Sequence, residues 1–409
     1  MDTSTTTPTF ITKWGQYGID NGQFISPIGV DVDSAGNVYV AEGYNRRIQK
    51  FTSEGAFITK WGEQGSGDGQ FGYPFDVAVD AQGNVYVTDT DNHCVLKFDA
   101  NANFLTKWGE WGYGDGQFRI PRGVDTDQQG NVNVADQANC SIQKFDSNGN
   151  FLLKWGDQGS GDGQFDEPFG VALDSAGDVY VTENLNHRVQ KFDSSGNFLT
   201  KWGGYGEGDG QFRSPLAVAI DKEGNVNVAD QDNYRIQTFD PSGNFLAKWG
   251  TFGTGDGEFN QPFGVAIDEQ ANVYVVDSGN NRIQKFGIEK VAPRVVRVQP
   301  TNHASGVSVR TNVTAFFSEA MDETTVEATD PTTGRPTTFT LRKQSPTGLG
   351  APIPAMVSYM QTTTGPYKAV LNPARDLSPR TTYVATVSTE AKDLAGNPLA
   401  ETYRWSFRT

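Results

Sequence analysis

The chain has 409 residues, 47 of them glycine, with 36% hydrophobic and only 20% charged residues, enough for two or three domains with a sizeable core and a composition that suits a turn-rich all-β protein rather than disorder. The net charge of −16 is uneven: residues 1–288 carry 20 Lys+Arg against 39 Asp+Glu, which is −19, and residues 289–409 carry 13 against 10, which is +3. An acidic part of that size repels nucleic acid and anionic membrane, and no apolar run is long enough to cross a bilayer as a helix.

The N-terminus, MDTSTTTPTF, has neither a basic start nor an apolar run, so it does not read as a signal peptide. Residues 1–9 are expected to be a tail. The strand-like FITKW at Phe10–Trp14 comes next and is followed by GQYGIDNGQF from Gly15. Near-copies of that glycine-rich stretch begin at Gly62, Gly109, Gly156, Gly203 and Gly250, and the preceding tryptophans, Trp14, Trp61, Trp108, Trp155, Trp202 and Trp249, are 47 residues apart. One copy alone, GEQGSGDGQF at Gly62–Phe71, could pass for a phosphate-cradling loop. Such a loop occurs once per site and opens a helix. No helical pattern follows any copy, and a motif present six times at a fixed period is a structural unit.

Between these loops each repeat divides in the same way. In the second, Phe75–Asp80 is a short β-type run after Pro74, Gln82-Gly83-Asn84 is a turn, Val85–Asp89 is a second strand and Asp91-Asn92-His93 another turn. Val95–Phe98 and Phe104–Trp108 complete four antiparallel strands. Four strands per period of about 40–50 residues predict propeller blades. No KWG strand follows the last third strand, RIQKF at Arg282–Phe286. Six blades are complete only if Phe10–Trp14 becomes the outer strand of the sixth, which closes the ring and removes an open sheet edge.

The stretches PFGVALDSAGDVYVTENLNHRVQKF (Pro168–Phe192) and PFGVAIDEQANVYVVDSGNNRIQKF (Pro262–Phe286) resemble the NHL repeat, and six copies in phase extend the resemblance over about 280 residues. It implies a six-bladed propeller over residues 10–288. It implies no single activity, because the family includes RNA-binding modules, protein-interaction modules and a metal-dependent lyase. The period stops at KVAPRVVRVQP. A short linker, 289–294, is expected, stiffened by Pro293. VTAFFSEAMD (Val313–Asp322) and KDLAGNPLAETYRWSFRT (Lys392–Thr409) resemble a bacterial Ig-like domain of the SbsA type, a β-sandwich over residues 295–409. Such domains occur in secreted or surface proteins as spacers or adhesive modules.

Repeats supply an internal control: positions alike in all blades serve the blade, and positions that differ can serve a site. An acid at the end of strand two has Asn three residues on and usually Arg five on, as in Glu42/Asn45/Arg47, Glu183/Asn186/Arg188, Asp230/Asn233/Arg235 and Asp277/Asn280/Arg282, a structural set. Blades two and three depart from it. Asp89 faces Cys94, Asp136 faces Ser141, and His93 and Cys140 stand beside them, which leaves three readings open: a soft metal site, a Cys94–Cys140 disulfide, or drift at turns.

The residue between Pro and the start of each inner strand is Ile28, Phe75, Arg122, Phe169, Leu216 or Phe263, a predicted ring of large apolar groups with one arginine at the channel mouth. The turns between strands two and three add Tyr44, Asp91, Leu185, Asp232 and Tyr234 to the same face, and together these are the expected ligand-binding residues. Asp31 and Asp125 replace the alanine of the other four blades, Ala78, Ala172, Ala219 and Ala266, and could hold Ca²⁺ near the axis. Otherwise no cofactor is expected. The chain has three histidines, His93, His187 and His303, and no HExxH or GxSxG. The lyase members use a channel cluster of histidines that is missing here.

These features predict a non-catalytic, secreted or cell-surface monomer. Its propeller face binds a protein or carbohydrate, and an Ig-like module spaces or anchors it. One alternative is a hydrolase or lyase with a divalent ion near Asp31 and Asp125; another is a purely structural scaffold. Partners in nucleic acid are excluded by charge.

Overall fold

The computed structural model describes residues 8–287, 292–318, 320–330, 332–360, 367–393 and 397–409. Contacts divide the chain into two compact units, Met1–Glu289 and Lys290–Thr409. Of the expected linker, 289–291 lie outside the described residues.

The first unit consists of six four-stranded antiparallel sheets. In blade two the strands are Pro74–Val79, Val85–Asp89, Cys94–Phe98 and Phe104–Trp108, each paired with the next. The sixth sheet takes its outer strand from the other end of the chain. Thr9–Trp14 pairs antiparallel with Arg282–Gly287, from Thr9 opposite Gly287 to Trp14 opposite Ile283. The ring therefore closes as expected, with Thr9 belonging to the strand rather than to the tail.

A blade is buried on both faces because its neighbours cover them, so the second strands are buried throughout, their polar residues included. All five residues of Val85–Asp89 are buried. Tyr39 of blade one packs among Phe71, Val77, Val85 and Phe98 of blade two, and Trp61 meets both Tyr39, at 6.3 Å, and Phe98, at 5.9 Å between centroids. The repeated tryptophans are thus wedges between blades.

The glycine-rich stretch is architecture, as its repetition implied. Gly62 has φ +101°, and a Cβ there would lie 2.6 Å from the Phe71 ring, so only glycine lets the chain leave the outer strand while Phe71 enters the core. In four of the six copies an arginine of the third strand gathers the loop's carbonyls. Arg47 donates to the carbonyls of Ile19, Asp20 and Gln23 and, through Nε at 2.6 Å, to buried Glu42. Arg188, Arg235 and Arg282 repeat the arrangement.

The second unit is a sandwich. One sheet orders Val295–Gln299, Val313–Phe317, Lys368–Pro373 and Ala355–Met360; the other orders Gly348–Pro352, Phe339–Ser345, Thr382–Val387 and Tyr403–Arg408. Both quoted motifs have local work. In VTAFFSEAMD, Met321 is buried, its N–H donating to the Tyr359 hydroxyl at 2.7 Å, and Asp322 caps the short helix Glu323–Val326. In the terminal motif, Asp393 accepts both the backbone and side-chain N–H of Asn397, and Trp405 fills the core beside Phe339.

Candidate functional site

Each inner strand begins at the face that carries the glycine-rich loops and the turns between strands two and three. At that end the expected ring does assemble. Ile28, Phe75, Phe169 and Leu216 form one cluster with Phe263 packed against it. Phe75 and Phe169 are 5.3 Å apart, Phe75 and Phe263 5.7 Å, Phe169 and Phe263 5.6 Å between centroids. The Arg122 guanidinium lies 4.2 Å from the Phe75 ring centre and bonds Gln137 through Nε. These side chains meet across the axis instead of rimming an opening. Phe75 is only 5% exposed, and the space left among them is about 20 Å³, about the room of a single water. Six large groups converging on an axis this narrow bury one another. The ring is a plug: the side chains expected at the channel mouth fill it.

Beneath the plug runs a channel of about 310 Å³ toward the opposite face. Its wall carries Asp31 and Asp125, as expected, and a third carboxylate, Asp76, which sits where other blades have glycine or alanine. An inner strand has no strand partner on its axial edge, so its N–H groups there need other acceptors. Asp31 accepts the Val79 N–H at 2.7 Å, Asp76 that of Val124 at 3.1 Å, and Asp125 that of Leu173 at 2.7 Å. Each also accepts from the residue following it, Val32, Val77 or Thr126. The two donors are one repeat apart, so every carboxylate ties its strand to the same position of the next blade.

A Ca²⁺ ion, which the sequence left possible at Asp31 and Asp125, would here compete with backbone donors. The oxygens of Asp31 and Asp125 are engaged by backbone N–H groups, and among the described residues no group of three or more His, Cys, Asp or Glu could hold a metal ion. Burial pushes all three carboxyls up to about 7, aided by a neighbouring charge in each case: Asp125 on Asp31, Asp31 on Asp76, Asp76 on Asp125. A group whose folded pKa exceeds its unfolded one stabilises at pH below the unfolded value, and that stability is lost as pH rises through the folded value. Raising the pH from 5 to 8 is therefore expected to lower the unfolding midpoint, and Asp76→Asn is expected to flatten that slope. A midpoint that rises over this range would contradict the assignment.

The two departing blades are repaired locally. Cys94 and Cys140 are buried and free, and burial pushes the Cys94 thiol up to about 12, which makes it an inert core group. Asp89 accepts the N–H groups of Gly72 and Tyr73, and Asp136 those of Arg119 and Ile120. One of the three carbonyls that arginine would have held is taken in each blade by an outer-strand lysine, Lys107 on Ser66 and Lys154 on Tyr113, both at 2.9 Å. Of the three readings, drift with compensation fits this packing.

Above the plug the surface is aromatic. The third residue of each glycine-rich loop is Tyr17, Gln64, Trp111, Gln158, Tyr205 or Phe252, and the four aromatic ones stand out into solvent, Tyr17 at 72% and Phe252 at 65% exposure. Tyr113, Tyr44 and Leu185 are also exposed on this face. Tyr205 lies 5.0 Å from His187, and Phe252 4.9 Å from Tyr234. Asp91 and Asp232 are exposed in turns of the same face, Asp232 bonded to Ser214. Of the expected ligand residues, the turn set Tyr44, Asp91, Leu185, Asp232 and Tyr234 thus belongs to the surface and the inner-strand set to the plug. Tyr17, Trp111, Tyr205 and Phe252 were missed, although their alternation between polar and aromatic was a difference between repeats of the kind that marks a site.

Residues 24–51, 71–98, 118–145, 165–192, 212–239 and 259–286 each match the NHL repeat, and 289–409 match the bacterial Ig-like domain. No curated protein matches the chain. Among solved structures it is similar to a streptogramin B lyase, with 12% identity and a TM-score of 0.51 over 69% of this chain and 98% of that one. It is also similar to a protein of unknown function from Bacteroides thetaiotaomicron, with 16% identity and a TM-score of 0.57 over 69% of this chain and 76% of that one. At these identities the likeness is one of fold. No helix among the described residues is long and apolar enough to cross a membrane.

Proposed function

For a chain that is an NHL-repeat propeller followed by a bacterial Ig-like domain, we propose a recognition role carried by the aromatic face, with the Ig-like domain as spacer or anchor on a secreted or surface-held monomer. The observation that carries this reading is the exposure of Tyr17, Trp111, Tyr205 and Phe252 on one face. Exposed aromatics on rigid loops are large contact area at small entropic cost, and they dominate recognition surfaces. The loops are rigid because arginine or lysine pins their carbonyls. The plug removes the axial mouth as a small-ligand entrance, which moves recognition outward to the loops.

A metal-dependent hydrolase or lyase would need ligands in the channel. Asp31, Asp76 and Asp125 are there as strand ties, and no histidine lines it among the described residues. Non-catalytic binding is the better reading. Its test is a screen of immobilised protein against soluble peptides and oligosaccharides, repeated with Trp111→Ala/Tyr205→Ala/Phe252→Ala. Any genuine ligand is expected to lose about 30-fold or more in affinity, the scale of a lost hot spot. Ligands held equally by wild type and the triple variant would refute the face.

A further inference from the structure

We infer that the aromatic face takes a basic, extended polypeptide segment, with Lys or Arg side chains laid over its rings. The inference rests on the recognition reading above and adds the chemistry of the partner. The face already binds cations of its own chain in this way. The Arg119 guanidinium lies 5.1 Å from the centre of the Tyr113 ring, and that of Arg213 lies 5.3 Å from the centre of Tyr205 while pairing with Glu207 at 2.7 Å. Ring, guanidinium and carboxylate together are the unit that holds a cation on an aromatic surface.

Rings and carboxylates are also close in sequence on the loops of Tyr17, Trp111 and Phe252. Tyr17 is followed by Asp20, Trp111 is flanked by Glu110 and Asp115, and Phe252 is followed by Asp256, which pairs with Lys13 of the same chain. Between blades six and one a groove of about 540 Å³ opens beside Tyr17, lined by Gln16, Thr254, Asn280 and Asn281. Two blades earlier and one blade earlier the equivalent of Asn281 is His187 or Tyr234, whose ring fills that place against Tyr205 or Phe252. Asn281 is too short to do so, and the groove is wide enough for one long side chain. The two cations on its wall, Lys13 and Arg282, are already paired with Asp256 and Asp277. The net charge of −19 over residues 1–288 steers a basic partner in and turns nucleic acid away. The rings stand on separate loops around an annulus, a spacing that suits an extended chain better than a single compact group.

The probe is a fluorescein-labelled dodecapeptide alternating arginine with glycine and proline, followed by fluorescence anisotropy at 50 and 300 mM NaCl. The same peptide with glutamate for arginine and a neutral chitin hexasaccharide serve as comparisons. The variants are Tyr17→Ser/Trp111→Ser/Phe252→Ser on the face, three exposed positions, and Glu223→Gln/Glu269→Gln at exposed positions of the opposite face. Unfolding midpoints confirm that each is folded. The arginine peptide is expected to bind wild type, to weaken at least fivefold at the higher salt, to weaken 30-fold or more on the aromatic triple variant, and to change less than threefold on the opposite-face pair. Hexasaccharide binding lost in the triple variant, with no arginine-peptide binding, would overturn the basic partner and leave the recognition face standing. Arginine-peptide binding that the triple variant retains in full would show attraction by net charge alone and overturn both. Absence of binding by every probe would overturn the basic partner.

Discussion

Replacing Arg235 by methionine should lower the unfolding free energy by about 3–5 kcal/mol, the usual cost of stranding one partner of a buried ion pair. Asp230 is fully buried, and burial already holds its carboxyl above the ordinary range. Arg235 meets it through Nε at 2.8 Å and uses its other nitrogens on the carbonyls of Glu207, Gly208 and Gln211. The substitution therefore leaves a buried charge without its counter-ion and removes one donor from each of three loop carbonyls, while Asn233 and Gln237 continue to bond the acid. Urea unfolding of Arg235→Met against wild type measures the loss. The double change Asp230→Asn/Arg235→Met should recover part of it, because the stranded charge goes too. A loss under 1 kcal/mol in the single variant would mean that the glycine-rich loop holds its shape without the arginine.

What could be read from the sequence was whatever repeats. A period of 47 residues, six tryptophans and an orphan third strand at Arg282–Phe286 defined the blades and the closure before any coordinate was known, since strand pairing in a ring leaves little choice. Distances across the axis do not repeat along the chain, and there the reading fell short. That Phe75, Phe169 and Phe263 would share a face followed from their common position; that they would touch and seal the channel depended on its radius. Asp76 does not stand out in the sequence because it occupies the glycine position of the inner strand, two residues before the alanine position that Asp31 and Asp125 occupy. The aromatic loop residues were hidden by the opposite error: once the loops were recognised as architecture, their variable third position was absorbed with them. Asn133, buried where four blades carry tyrosine, has neither amide atom bonded among the described residues, and nothing in the structure explains it.

Deleting the chain through Trp14 should cost more than any single substitution, on the order of 5 kcal/mol or more, a large share of a domain's total stability. The argument is topological as much as energetic. Among the described residues Thr9–Trp14 is the strand that joins the two ends of the ring, and without it Arg282–Gly287 becomes an open edge on that side. Packing goes with the pairing: the Trp14 ring stands between Phe51 of blade one at 5.9 Å and Tyr274 of blade six at 6.3 Å, and Phe10 sits edge-on to Phe286 at 6.0 Å. Its loss therefore loosens two blades, and the seam between them is where the ring should open first. Thermal unfolding should show a lower and broader transition, as expected when neighbouring repeats no longer support each other. Adding a synthetic peptide spanning residues 8–15 should raise the midpoint again by mass action. A truncated protein that melts within 2–3 °C of the full chain, insensitive to the peptide, would show that five complete blades and a three-stranded sixth hold the ring without a closing strand.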